Sequence, residues 1–199
     1  MSIAEEFLRC LAMSVETEVH DLLKFRVLDS CDADWARWHG RAAVLKSILK
    51  EHTLTYLGLR KLYQSVAPSR GVTFEAECKC ERGTGRIDLV LTDGGEEYAI
   101  EIKRWEEKED EILGNDLTKL KYFSKGNPHR HGYSLVFTVN ADEDIGDRFR
   151  RDKQGYYIDH EFNPKLGSKY DLCETKVLEF ETFTVCLYLA SPKPEALTD

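Results

Sequence analysis

Long apolar runs are absent from this chain. Nothing in its 199 residues approaches the ~20 consecutive apolar residues that span a bilayer, so no membrane association is expected. The first ten residues, MSIAEEFLRC, open with acids and lack the basic segment of a secretory leader. Zinc-type cysteine spacing is missing as well. Six cysteines stand at positions 10, 31, 78, 80, 173 and 186. Only Cys78 and Cys80 are close, and an i, i+2 pair on a strand does not match a zinc finger. Reduced, buried thiols and a cytoplasmic location follow from that usage. The histidines form no ligand set: His129 and His131 share the loop GNPHRHG, and His20, His39 and His52 are scattered over helical sequence. GTGRID lacks the Lys-Ser/Thr and the following helix of a phosphate-binding loop, so its glycines read as a turn. A net charge of −8 argues against a surface that binds nucleic acid nonspecifically all over. Internal repeats and low-complexity linkers are also absent.

What is present suits one α/β domain covering 1–199. At 42% hydrophobic, a chain of this length can bury a real core. Residues 1–70 read as helical, 71–140 as a mixed core and 141–190 as strands and loops. Phe7, Leu8, Leu11, Ala12, Val15, Val19, Leu22 and Leu23 follow helical spacing over 3–28. Trp35, Trp38, Ala42, Leu45, Ile48 and Leu49 mark a second amphipathic helix over 33–52. Residues 53–66 continue it or form a third. GVTFEAECKC, IDLVL and YAIEI then read as a three-stranded meander. A helix over EDEILGNDLTKLKYFSKG, with Gly126 as its C-cap, leads to a buried strand at YSLVFTVN, 133–140. Strand, helix, strand in that order implies a parallel crossover. GYYIDHEF is a strand or a loop, VLEFETFTVCLYLA holds one or two strands, and SPKPEALTD reads as a tail.

The stretch GRIDLVLTDGGEEYAIEIKR, 85–104, carries the chemistry. IDLVL and YAIEI flank TDGGEE, a turn rich in Gly and Asp. A hairpin symmetric about Gly94–Gly95 pairs residues that sum to 189, which sets Asp88 opposite Glu101. Lys103, two residues on, shares their face, while Ile87, Leu89, Leu91, Ile100 and Ile102 take the other. Two carboxylates about 5 Å apart repel each other, and a bound cation relieves the repulsion. Oxygen ligands suit Mg²⁺ or Mn²⁺, which lowers the pKa of water and neutralises charge on a phosphate. A neighbouring lysine can orient the attacking water or stabilise the transition state. Together these parts make a phosphodiester hydrolase.

Asp88, a turn and then Glu101-x-Lys103 at the end of the next strand resemble the PD-(D/E)XK nuclease superfamily, with its restriction-endonuclease-like fold. The resemblance covers the hairpin and extends over about 72–140, although Ile87 stands where Pro usually precedes the Asp. The Glu-x-Lys spacing also occurs at Glu77–Lys79, Glu106–Lys108 and Glu174–Lys176, so the hairpin context is what distinguishes Glu101–Lys103. The resemblance implies a mixed sheet (meander, helix, parallel strand) flanked by helices, with helices N-terminal to it. It implies Asp88, Glu101 and the Ile102 carbonyl as metal ligands and Lys103 as the group that positions water. A DNA endonuclease dependent on Mg²⁺ or Mn²⁺, with dimerisation plausible, is the implied activity.

Further candidates lie around this core. The helix after Glu-x-Lys supplies Asp116, Lys119 and Tyr122 at i, i+3 and i+6, with Lys119 the candidate for phosphate contact. Glu51 is the candidate helix glutamate, with Glu16 and Glu18 as others. Glu77 reaches the metal if the β-turn at ERGTG sets it, rather than Cys78, opposite Asp88. Lys119, Lys121, Lys125 and Arg130 lie in an acid-free segment suited to a phosphate backbone, and Arg148, Arg150, Arg151 and Lys153 form a second basic cluster in GDRFRRDKQG. Two other readings stand beside the nuclease. One is a non-catalytic module of the same fold that binds nucleic acid or protein. The other is an acidic protein that binds a basic partner.

Overall fold

The computed structural model of the chain describes residues 1–24, 47–79, 85–104, 110–139, 156–162, 165–167 and 182–192. Helix α1 (Ile3–Lys24) starts in a capping box. Ser2 Oγ accepts from the Glu5 amide at 3.2 Å, and Glu5 Oε2 accepts from the Ser2 amide at 3.1 Å. The face carrying Phe7, Leu11 and Val15 is fully buried, as the 3–4 spacing requires. Helix α2 (Glu51–Ser65) packs on α1 through Leu54, Leu57, Gly58 and Leu62. The chain is extended at Lys50 (φ −91°, ψ 163°), so α2 is a separate helix and Glu51 opens its first turn. The sequence expectation over 33–46 lies outside the described residues. A single turn, α3 (Ala67–Arg70), with Pro68 at its start, ends at left-handed Gly71.

The sheet runs in the order β1-β2-β3-β4-β7-β5, with β6 paired to β7. Strands β1 (Thr73–Lys79), β2 (Arg86–Asp93) and β3 (Glu96–Arg104) form the expected antiparallel meander. Helix α4 (Asp110–Ser124) then crosses over, and β4 (Arg130–Val139) lies parallel to β3. Strands β5 (Tyr156–Phe162), β6 (Lys165–Gly167) and β7 (Thr182–Pro192) complete the far side, with β7 antiparallel to β4. The architecture is α/β with a mixed sheet. No helix among the described residues is long and apolar enough to cross a membrane.

Two apolar layers sandwich the sheet. Leu89, Leu91, Ile100, Ile102, Leu135 and Phe137 pack with α1 and α2. Val90, Ala99, Leu120 and Val136 form the layer beneath α4, where Leu120 of the helix meets Gly132 of β4. Ile87 corrects the sequence reading: it joins the α4 layer with Cys78 instead of following Leu89 and Leu91. The alternation breaks beside Glu77, which sits at φ 54° where a regular β1–β2 ladder would pair it with Asp88. Strand β4 also begins earlier than the sequence suggested. Its first residues, Arg130–Gly132, pair with Glu97–Ala99 of β3.

Candidate functional site

The hairpin has the register read from the sequence. Its pairs run from Asp93↔Glu96 at the glycine turn to Leu89↔Ile100. Gly94 and Gly95, at φ 60° and 90°, make that turn with a backbone that other residues adopt at a cost. Beyond Leu89 the next contact passes through a side chain, because the Ile102 amide donates to Asp88 Oδ2 at 2.7 Å. Strand alternation turns Glu101 and Lys103 to the α4 face, as expected, and Asp88, held by the Ile102 amide, lies near enough for its charge to act on Glu101 and Asp116. Ile102 points the other way and is fully buried in the apolar layer.

Helix α4 brings two more charged groups to the cluster. Asp116 and Lys119, one turn apart, meet the sheet side by side. The Lys119 ammonium lies 3.0 Å from Glu101 Oε2 and 3.2 Å from Asp116 Oδ1. Lys103 Nζ lies 3.8 Å from Asp116 Oδ2 and 3.8 Å from Glu51 Oε1. Glu101 is 0% exposed and Asp116 2%. The site therefore combines four carboxylates and two ammonium groups drawn from β2, β3, α2 and α4. Fully ionised, it carries a surplus of two negative charges, the charge one divalent cation balances.

Burial sets the protonation of these groups. Burial first, and then the charges of Asp88 and Asp116, push the Glu101 carboxyl up to about 8 despite its bond to Lys119. Asp116 is also raised by burial, although Lys103 and Lys119 oppose the shift. Burial pulls both lysines down, but the surrounding carboxylates outweigh it and hold both ammonium groups above the usual lysine range. The unmet demand is for positive charge. Glu101 Oε1 and Asp116 Oδ2 are buried without a hydrogen-bond partner among the described residues. Such oxygens suit a hard cation such as Mg²⁺ or Mn²⁺. As the side chains stand, no three His, Cys, Asp or Glu groups among the described residues are arranged to hold a metal. The carboxylates are spaced around an ammonium at 3.0–3.2 Å, not around a metal at about 2.1 Å.

The remaining candidates divide. Glu51 reaches Lys103 and belongs to the site's edge. A cavity of about 330 Å³ opens there, lined by Lys50, Glu51, His52 and Arg104. Glu77 stands at the point where the β1–β2 ladder skips a pair with Asp88; it is exposed and forms none of the described contacts with the cluster. Glu16 and Glu18 on α1 make no described contact with it either. Lys125 and Arg130 line a groove of about 400 Å³ on the same sheet face, between β1 and α4. That groove holds none of the four site carboxylates, although Glu75 and Glu97 line it; it runs past Ile87 and Val90, on either side of Asp88 in β2. Lys121 is half-buried on α4 and does not line it. The basic cluster at 148–153 lies outside the described residues.

Sequence reading undervalued Asp116, whose only signal was its place three residues before Lys119. It also missed a clamp at the far end of β3 and β4. Glu96 accepts from His129 Nδ1 and His131 Nε2, both at 2.7 Å, and the bond to His129, then that to His131, holds its carboxyl below the usual range. Beside it Arg130 Nε donates to Glu97 at 2.6 Å, and Tyr98 stacks on His131. No family model, curated protein or solved structure matches the chain.

Proposed function

We propose that this chain is a metal-dependent phosphodiester hydrolase acting on nucleic acid, with DNA the substrate class and a restriction-endonuclease-like core. One observation carries the reading. Two buried carboxylates, Glu101 and Asp116, each keep an oxygen without a hydrogen-bond partner among the described residues, in a cluster that includes Asp88 and a lysine two residues past Glu101. Asp88, Glu101 and Asp116 would hold Mg²⁺ or Mn²⁺, with the Ile102 carbonyl as a further ligand. A bound ion supplies a lowered pKa for water and positive charge beside a phosphate. Lys103 keeps its proton near neutral pH, because Asp116, Glu51 and the other acids outweigh its burial. Its part is therefore to orient water and to stabilise negative charge on phosphate oxygens, not to act as a base. Buried Glu101 and Asp116 exclude bulk water from one side of the cluster, which strengthens every charge interaction in it. The groove between β1 and α4 offers a path for a polymer. Lys79, Lys125 and Arg130 lie along it beside Glu75 and Glu97, the latter paired with Arg130, and Phe74 and Tyr122 are exposed at 52% and 38% for base stacking.

A second reading, a binding module without catalysis, is favoured by the way Lys103 and Lys119 already answer part of the acid charge. Cleavage of plasmid, linear duplex, single-stranded DNA and structured RNA, with Mg²⁺, Mn²⁺ or chelator, separates the two. Asp88→Ala and Lys103→Ala should each lower metal-dependent cleavage by at least about 100-fold while circular dichroism stays unchanged. Full activity in either variant would show the site assignment to be wrong. No cleavage by the unmodified chain, on any substrate or metal, would leave the binding module as the better account.

A further inference from the structure

Lys119 joins α4 to the sheet in a way that a structural ion pair does not explain. A buried ion pair offsets the loss of water only when the remaining lone pairs on both partners are satisfied. Here the ammonium reaches one oxygen of each acid, at 3.0 Å on Glu101 and 3.2 Å on Asp116. The other oxygen of each acid is buried and has no hydrogen-bond partner among the described residues. Lys119 thus divides its charge between two carboxylates, while Lys103 faces the Asp116 Oδ2 atom at 3.8 Å, beyond hydrogen-bond reach. The three groups come from β3 and from adjacent turns of α4, so their convergence depends on the docking of helix on sheet.

We infer that Lys119 is a resident counter-ion that occupies the place of the divalent cation, and that metal entry displaces it. The inference rests on the metal-dependent reading above. An ammonium between two carboxylates is the nearest side-chain imitation of a hydrated cation, but it carries half the charge of a divalent ion and stands about 1 Å farther from the oxygens. With Lys119 displaced, Glu101 and Asp116 would hold the doubly charged ion, which would supply the positive charge that their unpartnered oxygens lack. Lys119 is not sealed in the core: its side chain keeps 17% of its surface exposed. The consequence is competition: Lys119 holds the acids together without metal and weakens metal binding in proportion.

The test is calorimetric titration of the full-length chain with Mn²⁺, without nucleic acid, for wild type, Lys119→Met and Lys119→Arg. Lys119→Met should bind Mn²⁺ at least tenfold more tightly than wild type, and Lys119→Arg, which keeps the charge, no more tightly than wild type. Equal or weaker binding by Lys119→Met, beside measurable binding by wild type, overturns the counter-ion role and leaves the metal reading standing. Absence of Mn²⁺ binding in all three chains overturns both. If Lys119→Met does not fold, ¹⁵N spectra of the lysine ammonium groups of the wild-type chain, recorded during Mg²⁺ titration, decide the matter. An ordered Lys119 signal that is lost as Mg²⁺ binds supports displacement. A signal that persists at saturating Mg²⁺ refutes it.

Discussion

Glu101 lies fully buried between an acid on its own sheet and an acid on the helix above it. Its carboxyl titrates near 4.5 when the chain is unfolded and is pushed up to about 8 in the fold, first by burial and then by Asp88 and Asp116. The folded chain therefore keeps a proton that the unfolded chain releases. Stability from this group is complete below about pH 4.5 and is lost as pH rises through about 8. Glu101→Gln removes that penalty. In chelator, the variant should match wild type near pH 4.5 and gain on it up to about pH 8, by an amount on the order of 2 kcal/mol or roughly 4–8 °C. Thermal melts across that range check it, and a difference that does not change with pH would show that Glu101 is already ionised in the fold.

At the scale of elements, the close approach of α1 to α2 depends on one missing side chain. A Cβ at Gly58 would stand 2.5 Å from Phe7 Cε2 and 2.6 Å from Cζ, and Phe7 is fully buried. Gly58→Ala should therefore destabilise the chain by roughly 1–3 kcal/mol, in spite of the better helix propensity of alanine. Adding Phe7→Leu should recover part of the loss, and denaturant unfolding of the single and double variants measures both. Because α2 also carries Glu51 to Lys103, the same packing sets the edge of the site. A different device holds the outer end of β3 against β4. Glu96 bridges His129 and His131 while Glu97 pairs with Arg130, which extends the parallel ladder toward its start.

Over the whole molecule, charge and stability are linked through the site. The chain carries eight net negative charges, and four of its acids meet in one cluster that holds only two ammonium groups. A divalent ion that binds only the folded form stabilises it by mass action, by about 2.7 kcal/mol at one hundred times its dissociation constant. Wild type should thus melt several degrees higher in millimolar Mn²⁺ than in chelator, and Glu101→Gln and Asp88→Ala should lose most of that shift. A wild-type melting temperature indifferent to Mn²⁺, Mg²⁺ and chelator would count against any metal at the cluster.

Several features were determined by the sequence alone, because they depend on neighbours along the chain. Gly94–Gly95 sets the turn, the turn sets the register, and the register then brings Asp88 beside Ile102 while a two-residue period places Glu101 and Lys103 on one face of β3. The meander, the crossover helix and the parallel β4 were legible for the same reason: local patterning and short connections leave few alternatives. The rest depended on how packed elements rotate against one another, which no local period encodes. Docking of α4 decided that Asp116, and not Tyr122, turns into the cluster, and that Lys119 meets Glu101 across eighteen positions of sequence. The bend at Lys50 decided that Glu51 starts a helix beside Lys103. The strained backbone at Glu77 decided that Ile87 leaves its expected face. Charge balance in a buried site is a property of three dimensions, and here it arises only where helix and sheet close over one another.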